Sequence, residues 1–191
     1  MSSTRQQMIE TAVRSFQRRG YSGTSWRTLV DEAGTPWGSI HHHFPDGKEQ
    51  LGLAAIDLGN QGTLAQLNEA FANVHPAAAV KAFCHARAQE LADSDYVNGC
   101  PITTVALETA STVPALAEAC CGAYADWQAA VAEAFTAAGI KPKRAADLAM
   151  FVVGSVEGAL LLARISRSQT PLHVAGDQLA AIITEAMPIT T

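Results

Sequence analysis

Apolar residues recur every three or four positions through the first fifty residues, and glycine or proline interrupts them. The pattern predicts three helices in this part of the chain, over 4–19, 24–33 and 36–43. Gly20 ends the first helix, Gly34 ends the second, and Thr35 is the expected N-cap of the third. The second helix turns an apolar face inward, formed by Trp26, Leu29 and Ala33.

The rest of the chain continues this spacing with longer apolar stripes. It predicts six more helices, over 48–73, 77–92, 102–110, 114–138, 141–165 and 171–187. Alanine is abundant, and short runs of alternating β-branched residues are scarce, which favours helices over a sheet. The sequence therefore predicts an all-α fold of about nine helices.

Composition indicates a soluble chain with a sizeable core. Apolar residues make up 48% and charged residues 16% of the 191 positions. The longest apolar run, 148–163, is interrupted by Glu157 and is shorter than the ~20 residues of a membrane span. No secretory signal is visible, so we expect a cytoplasmic protein without membrane contact, in which the four cysteines act as small apolar fillers.

The net charge of −5 argues at first against a nucleic-acid partner, but the charge is unevenly distributed. Residues 1–50 contain six Lys or Arg and five Asp or Glu, so this part is slightly positive and the remainder carries −6. Such asymmetry is compatible with a DNA-facing end on an acidic body.

The stretch 24–48 carries the most specific pattern in the chain. Two helices flank a tight glycine turn at Gly34, as in a helix-turn-helix, whose second helix enters the major groove of DNA. Ile40 and Phe44 are spaced to anchor the third helix to the core, while small and polar residues remain for the DNA side. The sequence predicts a DNA-reading unit here.

These residues resemble the TetR family of transcriptional repressors. The resemblance spans about residues 5–52 and includes T-S-x-R-x-L-x-x-x-A-G-T-x-x-G-S-I-H-H-H-F-P followed by K-E-x-L. Two further strings, FPDGKEQL and NGCPITTVALE, are similar to the LmrA/YxaF-type branch. The resemblance implies a three-helix DNA-binding domain over 1–47 and a larger helical effector-binding and dimerisation domain over 48–191.

The resemblance also implies which residues contact DNA. Phosphate contacts fall on the start of the second helix, at Thr24, Ser25, Arg27 and Thr28. The base-facing positions are Pro36, Trp37, Gly38 and Ser39. His41 and His42 match an aromatic pair that grips the backbone, and Lys48 matches a phosphate-pairing lysine. Family members often carry Lys or Arg where Trp37 stands, so an unusual operator preference is expected.

Some of these residues also permit a metal-binding, core or redox interpretation. Adjacent helical residues point about 100° apart, so His41, His42 and His43 cannot converge on one metal ion, and no metal site is predicted. Trp26 lies on the apolar face and is interpreted as core, whereas Trp37 is interpreted as a DNA contact. Cys120 and Cys121 leave a redox role open.

TetR-like proteins usually dimerise through their last two helices, and a dimer is needed to read a palindrome. Gly154 and Gly158 have a spacing that permits close helix packing. By resemblance, the candidate interface residues are Phe151, Gly154, Gly158, Leu162, Leu179, Ile182 and Ile183. Packing within a single chain is the alternative interpretation of the same residues.

The resemblance further implies an effector pocket between the fourth and eighth helices. The candidate lining residues are Leu67, Phe71, Phe83, Arg87, Thr104, Leu107, Glu108, Tyr124, Trp127, Phe151 and Glu157. Each also has a plain interpretation as core or cap. A mainly apolar, aromatic set suits a hydrophobic or planar aromatic ligand, and the charged members Arg87, Glu108 and Glu157 need a partner or ligand.

The leading hypothesis is a ligand-responsive repressor that binds double-stranded operator DNA as a homodimer and is released by a small-molecule effector. No catalytic motif, phosphate loop or cofactor motif is recognisable, so neither catalysis nor a cofactor is expected. Two alternatives remain: a helical small-molecule-binding or catalytic protein without DNA binding, and a ligand-independent or activating regulator with the same DNA-binding unit. The effector, operator and regulated genes stay open.

Overall fold

The structure, a computed structural model, describes residues 3–72 and 74–188. This part of the chain forms nine helices and no strand, which confirms the predicted all-α fold. The helices are α1 (Thr4–Arg19), α2 (Trp26–Ala33), α3 (Ser39–His43), α4 (Lys48–Phe71), α5 (Pro76–Asp93), α6 (Pro101–Thr109), α7 (Pro114–Ala137), α8 (Pro142–Ser166) and α9 (Thr170–Ala186). The predicted end of the fourth helix, Asn73, lies outside the described residues.

The chain divides into two compact units, and the division differs from the expected boundary at residue 47. Unit 1 comprises Met1–Gly62 and Gly99–Ala123, and unit 2 comprises Thr63–Asn98 and Tyr124–Thr191. Unit 1 therefore contains α6 in addition to the first three helices, and α4 and α7 each contribute residues to both units. The terminal residues of the predicted domains, 1–2 and 189–191, are outside the described part.

Unit 1 is held together by the apolar face of α1. Met8, Ala12 and Phe16 are fully or almost fully buried, together with Leu29 of α2 and Phe44 after α3. Burial of side chains of this size contributes roughly 1.5–3 kcal/mol each, which is ample to dock two short helices that would not be stable alone.

Unit 2 is built on α5, which packs along α9 and also contacts α8. Gly176 permits a close approach of α9 to α5, since a Cβ there would lie 2.9 Å from the Cβ of Cys84 on α5. Among the described helices only α8 is long and apolar enough to span a membrane. Val152, Val156 and Leu160 of α8 are buried within the protein, so α8 is a core helix of this unit.

Candidate DNA-binding site

The start of α2 and the turn after it are fixed by local hydrogen bonds. Ser25 is the N-cap, and its hydroxyl oxygen accepts from the backbone N–H of Thr28 at 3.1 Å. At the other end, Gly34 takes the left-handed conformation, and the N–H of Thr35 donates to the carbonyl of Val30 at 3.1 Å. These two caps explain why α2 has only eight residues.

The recognition helix is shorter than expected, and the prediction that Thr35 caps it is wrong. The Thr35 hydroxyl is buried without a hydrogen-bond partner in the described part of the protein. Residues 36–39 form a turn instead, in which the N–H and the hydroxyl of Ser39 both donate to the Pro36 carbonyl, at 3.0 and 2.6 Å. Helix α3 begins only at Ser39, and Trp37 and Gly38 are exposed in the turn before it.

Two buried side chains hold α3 in place and leave its other face accessible. Ile40 and Phe44 are buried, and the Trp26 ring lies against Phe44 with centroids 6.1 Å apart, which agrees with the core interpretation of Trp26. The exposed residues of the predicted DNA-binding set are Ser25, Arg27, Pro36, Trp37, Gly38, His41 and His42. Trp37 is 56% exposed, so its indole ring is accessible to a partner.

The predicted phosphate contact at Thr24 is wrong. Its side chain is only 1% exposed, because the hydroxyl donates to the Gly20 carbonyl at 2.8 Å and lies 2.8 Å from the Ser15 hydroxyl. Both bonds fasten the turn between α1 and α2 to the body of α1. Thr24 is therefore a structural residue, and the sequence signal failed because the motif does not reveal which way the hydroxyl faces.

Lys48 is half-buried and already has a protein partner. Its ammonium group donates to the Tyr21 carbonyl at 2.6 Å and lies 4.3 Å from the centroid of the Tyr21 ring. Burial lowers the pKa of Lys48, and the nearby Glu108 carboxylate partly opposes this effect. An ammonium group has three N–H bonds, so a contact to phosphate remains possible alongside the Tyr21 bond.

Three residues assigned by resemblance to the effector pocket lie in unit 1 and have other roles there. Thr104 donates from its hydroxyl to the Phe16 carbonyl at 2.9 Å, and Glu108 accepts from the N–H of Ser22 at 2.6 Å. Leu107 is 73% exposed on α6. The bond to Ser22 gives Glu108 the partner that its charge requires. All three residues therefore lie outside the candidate pocket of unit 2.

The remaining pocket candidates all lie in unit 2. Among them, Phe151 lies on the exposed face of α8. The rings of Phe71 and Phe135 are 6.0 Å apart, and those of Tyr124 and Trp127 are 5.0 Å apart. The Trp127 indole N–H is buried and has no acceptor in the described residues. A groove of about 380 Å³ lies between α4 and α5, and it is lined by Gln66, Glu69, Ala70, Ala82, Phe83, Ala86, Arg87 and Glu90.

Arg87 has partners within the protein, and the sequence analysis expects a partner or a ligand for its charge. Its guanidinium donates to Glu90 and, at 3.4 Å, to the Gln66 side chain. Leu67 is buried, and Glu157 is half-buried on α8. The groove thus has an alanine-rich wall with one aromatic ring and a polar rim.

The predicted dimerisation residues divide into an exposed and a buried group. Phe151, Gly154, Gly158 and Leu162 lie on one exposed face of α8, which also carries Met150, Leu161 and Ile165. A Cβ added to Gly154 or Gly158 would meet nothing within 4 Å. Leu179 and Ile183 are buried in the core of unit 2, so their assignment to an intersubunit surface is wrong, while Ile182 is half-buried.

The histidine run and two of the buried cysteines, Cys84 and Cys120, have different surroundings. The rings of His42 and His43 contact each other with centroids 4.7 Å apart, and residues 3–72 and 74–188 contain no group of three side chains placed to hold a metal ion. Burial raises the pKa of the Cys84 and Cys120 thiols to about 11, so both stay protonated at neutral pH. Both cysteines are fillers, as predicted, and Cys121 is exposed.

Comparison with known proteins agrees with this geometry. Residues 8–55 match the model for bacterial regulatory proteins of the tetR family, and residues 76–178 match the C-terminal domain of LmrA/YxaF-like transcriptional regulators. An uncharacterized HTH-type transcriptional regulator of Mycobacterium tuberculosis is 31% identical over 98% of both chains. The HTH-type transcriptional regulator LmrA of Bacillus subtilis is 31% identical over 88% of this chain and 90% of its own.

A solved structure extends the likeness to three dimensions. A TetR transcriptional regulator from Chloroflexus aurantiacus superposes with a TM-score of 0.80 and 30% identity, covering 96% of each chain. The match includes both the helix-turn-helix part and the helical remainder. The chain belongs to the TetR family of DNA-binding transcriptional regulators, in its LmrA/YxaF-like branch.

Proposed function

We propose that this protein is a repressor that binds a palindromic operator as a homodimer and leaves it when a small hydrophobic or aromatic effector binds. The observation that carries the proposal is the exposed surface on the recognition helix and its preceding turn. Trp37, His41 and His42 are exposed there, while Ile40 and Phe44 anchor the same segment from below. A rigidly held helix with an accessible outer face is what major-groove binding requires.

The DNA contacts divide into positioning and specifying groups. Arg27, Ser25 and the two histidines supply donors suited to phosphate oxygens. Trp37 cannot make the bidentate bond to guanine that Arg or Lys makes, but its ring suits the methyl group of thymine. We therefore propose an operator whose half-sites contain a thymine at the position under Trp37.

The exposed apolar face of α8 supports the proposed dimer, which the reading of a palindrome requires. The exposed residues Phe151, Gly154, Gly158, Leu161 and Ile165 follow one another at intervals of three and four, which is the spacing of a helix–helix seam. Ile165 is 71% exposed, and the glycines allow a second helix to approach closely. A second copy of the same face would cover this apolar surface symmetrically.

The effector is proposed to bind in unit 2. The groove beside Phe83 and Arg87 has a volume within the usual range for small-molecule sites, about 300–1,000 Å³. The buried Trp127 N–H, close to Tyr124, offers a hydrogen bond to a ligand that enters the aromatic core. Since α4 has residues in both units, its displacement by the effector is the proposed route to the DNA-binding end.

The decisive experiment is selection of duplex DNA from a random pool by the purified full-length protein, followed by fluorescence anisotropy on the enriched sequence. We expect an inverted repeat with half-site centres one helical turn apart, and an affinity that falls steeply with salt. Candidate aromatic compounds are then added to the complex. Failure to enrich any sequence contradicts DNA reading, and enrichment without any release by ligands contradicts the effector part alone.

A further inference from the structure

The branch-specific string 98–108 is used by the fold to hold the end of α1. The backbone N–H of Gly99 donates to the Gln17 carbonyl at 2.9 Å, and the Thr104 hydroxyl reaches the Phe16 carbonyl at 2.9 Å. The last carbonyls of a helix have no partners within the helix, and Gly99 supplies one for Gln17. The Phe16 carbonyl also accepts from the N–H of Gly20 at 3.0 Å, so Thr104 adds a second bond there. All of these residues belong to unit 1, which the chain re-enters at Gly99.

One turn further along α6, Glu108 reaches the turn between α1 and α2. Its Oε2 accepts from the N–H of Ser22 at 2.6 Å. Its Oε1 lies so close to Gly20 that a Cβ at that position would be 1.8 Å away. Gly20 has φ 74° and ψ −176°, a conformation essentially restricted to glycine. The carboxylate therefore occupies a space that only a glycine turn leaves free.

Lys48, at the start of α4, also binds this turn. Its ammonium donates to the carbonyl of Tyr21, the residue between Gly20 and Ser22. Side chains from α4 and α6 thus fix the three residues 20–22. Thr24, two residues later, is buried against α1, and Ser25 then caps α2. Only Gly23 separates Ser22, which is bound by Glu108, from the hydrogen-bonded residues Thr24 and Ser25 at the start of α2.

We propose that Glu108 is a positioning residue for operator binding. By holding the N–H of Ser22 over Gly20, it ties α6 to the turn between α1 and α2 and sets the orientation in which α2 and α3 are presented to DNA. This inference rests on the proposed DNA-binding function. It names a residue that contributes to operator affinity by orienting α2 and α3. Glu108 does not touch DNA or effector in this role.

Two physical properties make the role testable. The bond to Ser22 is exposed, so water replaces the carboxylate when it is removed, and little global stability is lost. The carboxylate is also negative, so its removal by itself strengthens attraction to the DNA phosphates. A weaker operator affinity after its removal thus has the opposite sign from a simple charge effect.

The experiment compares Glu108→Ala, Glu108→Gln and, as a matched exposed acidic control in the same unit, Glu118→Ala, all in the full-length protein. The probe is the duplex enriched by the wild-type protein. We expect the dissociation constant of Glu108→Ala to rise about three- to tenfold with nearly unchanged helical circular dichroism and melting temperature. Glu108→Gln keeps an acceptor oxygen and should stay within about twofold of wild type, as should Glu118→Ala.

Hydrogen exchange of the Ser22 amide, followed by NMR, supplies a readout that general destabilisation does not reproduce. In Glu108→Ala we expect this amide to exchange faster while the amide of Leu29, inside α2, is unchanged. Wild-type affinity of Glu108→Ala for the operator, or an unchanged Ser22 amide, overturns the inference while leaving the proposed function intact. If the wild-type protein itself enriches no DNA, the proposed function fails instead.

Discussion

At the scale of single residues, the hydroxyl groups near the start of α2 show how burial decides a role. Thr24 and Ser25 are adjacent in a motif associated with phosphate contacts. The Thr24 hydroxyl is used by the Gly20 carbonyl and Ser15, whereas Ser25 is exposed and caps the helix. Arg27, the second residue of the helix, is exposed as well. Stability and DNA affinity are therefore assigned to neighbouring residues.

Replacing Thr24 should lower mainly the stability of the protein, and replacing Arg27 should lower mainly its affinity for DNA. Thr24→Val removes a buried hydrogen bond and leaves the Gly20 carbonyl without its side-chain donor, so the free energy of unfolding should fall by about 1–3 kcal/mol. Arg27→Ala should change it by less than about 0.5 kcal/mol and weaken operator binding. Urea titration and anisotropy measure the two quantities. Equal loss of stability in both variants would contradict the burial-based assignment.

The exposed histidines predict a direct contribution to DNA affinity. His41 and His42 are exposed on α3, where their ring N–H groups can donate to phosphate oxygens. We expect the double variant His41→Ala, His42→Ala to bind the operator about three- to tenfold more weakly than the wild-type protein, with nearly unchanged stability. Anisotropy titrations at constant ionic strength and pH test this. Wild-type affinity of the double variant would contradict a phosphate contact by either histidine.

At the scale of elements, the short helices of the DNA-binding part depend on their ends. Helix α3 has five residues and cannot be stable alone, so its geometry comes from Ile40, Phe44 and the turn that precedes it. Helix α2 ends in the left-handed Gly34, which redirects the chain toward Pro36. A Cβ at Gly34 would meet nothing within 4 Å, so only the backbone conformation constrains this position.

Substitution of Gly34 should therefore carry a conformational cost alone. Gly34→Ala should lower the free energy of unfolding by about 1 kcal/mol, and Gly34→Asn should lower it less, because asparagine tolerates the left-handed region better. Gly62→Ala in α4 is a matched control, since it lies within a helix and also meets nothing. That change should stabilise the protein by roughly 0.5–1 kcal/mol. Chemical denaturation measures all three, and a stabilising Gly34→Ala would contradict the assignment.

At the scale of the whole molecule, the exposed apolar face of α8 is the feature that one chain leaves unexplained. Phe151 is 51% exposed, and Leu162 and Ile165 continue the same surface. Buried neighbours such as Val152 and Val156 show that the opposite face of α8 already supplies the core. Two recognition helices must be held about 34–36 Å apart to read a palindrome, and a shared α8 surface is the proposed means.

Disruption of this face should abolish dimerisation and operator binding together. Phe151→Glu places a charge within the proposed interface, so we expect a monomer by analytical ultracentrifugation and a loss of affinity of more than about tenfold. Leu107→Glu is the matched control, because Leu107 is also an exposed apolar residue and lies on a different helix, α6. A dimeric Phe151→Glu protein would show that another surface joins the subunits.

Much of the DNA-binding site could be predicted because its signals are local. Glycine turns, N-caps and the apolar spacing of α1 and α2 lie within a few residues of one another, and the predicted helices were found. Helix α3 begins at Ser39, three residues after the predicted start at Pro36. A proline is compatible with both a turn and the first turn of a helix, so the sequence does not distinguish them. Trp26, predicted as core from its spacing with Leu29 and Ala33, is half-buried with its ring against Phe44.

The sequence by itself determined the all-α class, the helix-turn-helix and the family, because each depends on short-range spacing and on motif residues that fold locally. Only the tertiary structure decided which side chains are free to act. Thr24 is withdrawn into the turn, Glu108 is bound to Ser22 instead of a ligand, and Ile183 is buried instead of facing a partner. Periodicity shows that a helix has an apolar face, but which element covers that face is settled by contacts between residues far apart in the chain.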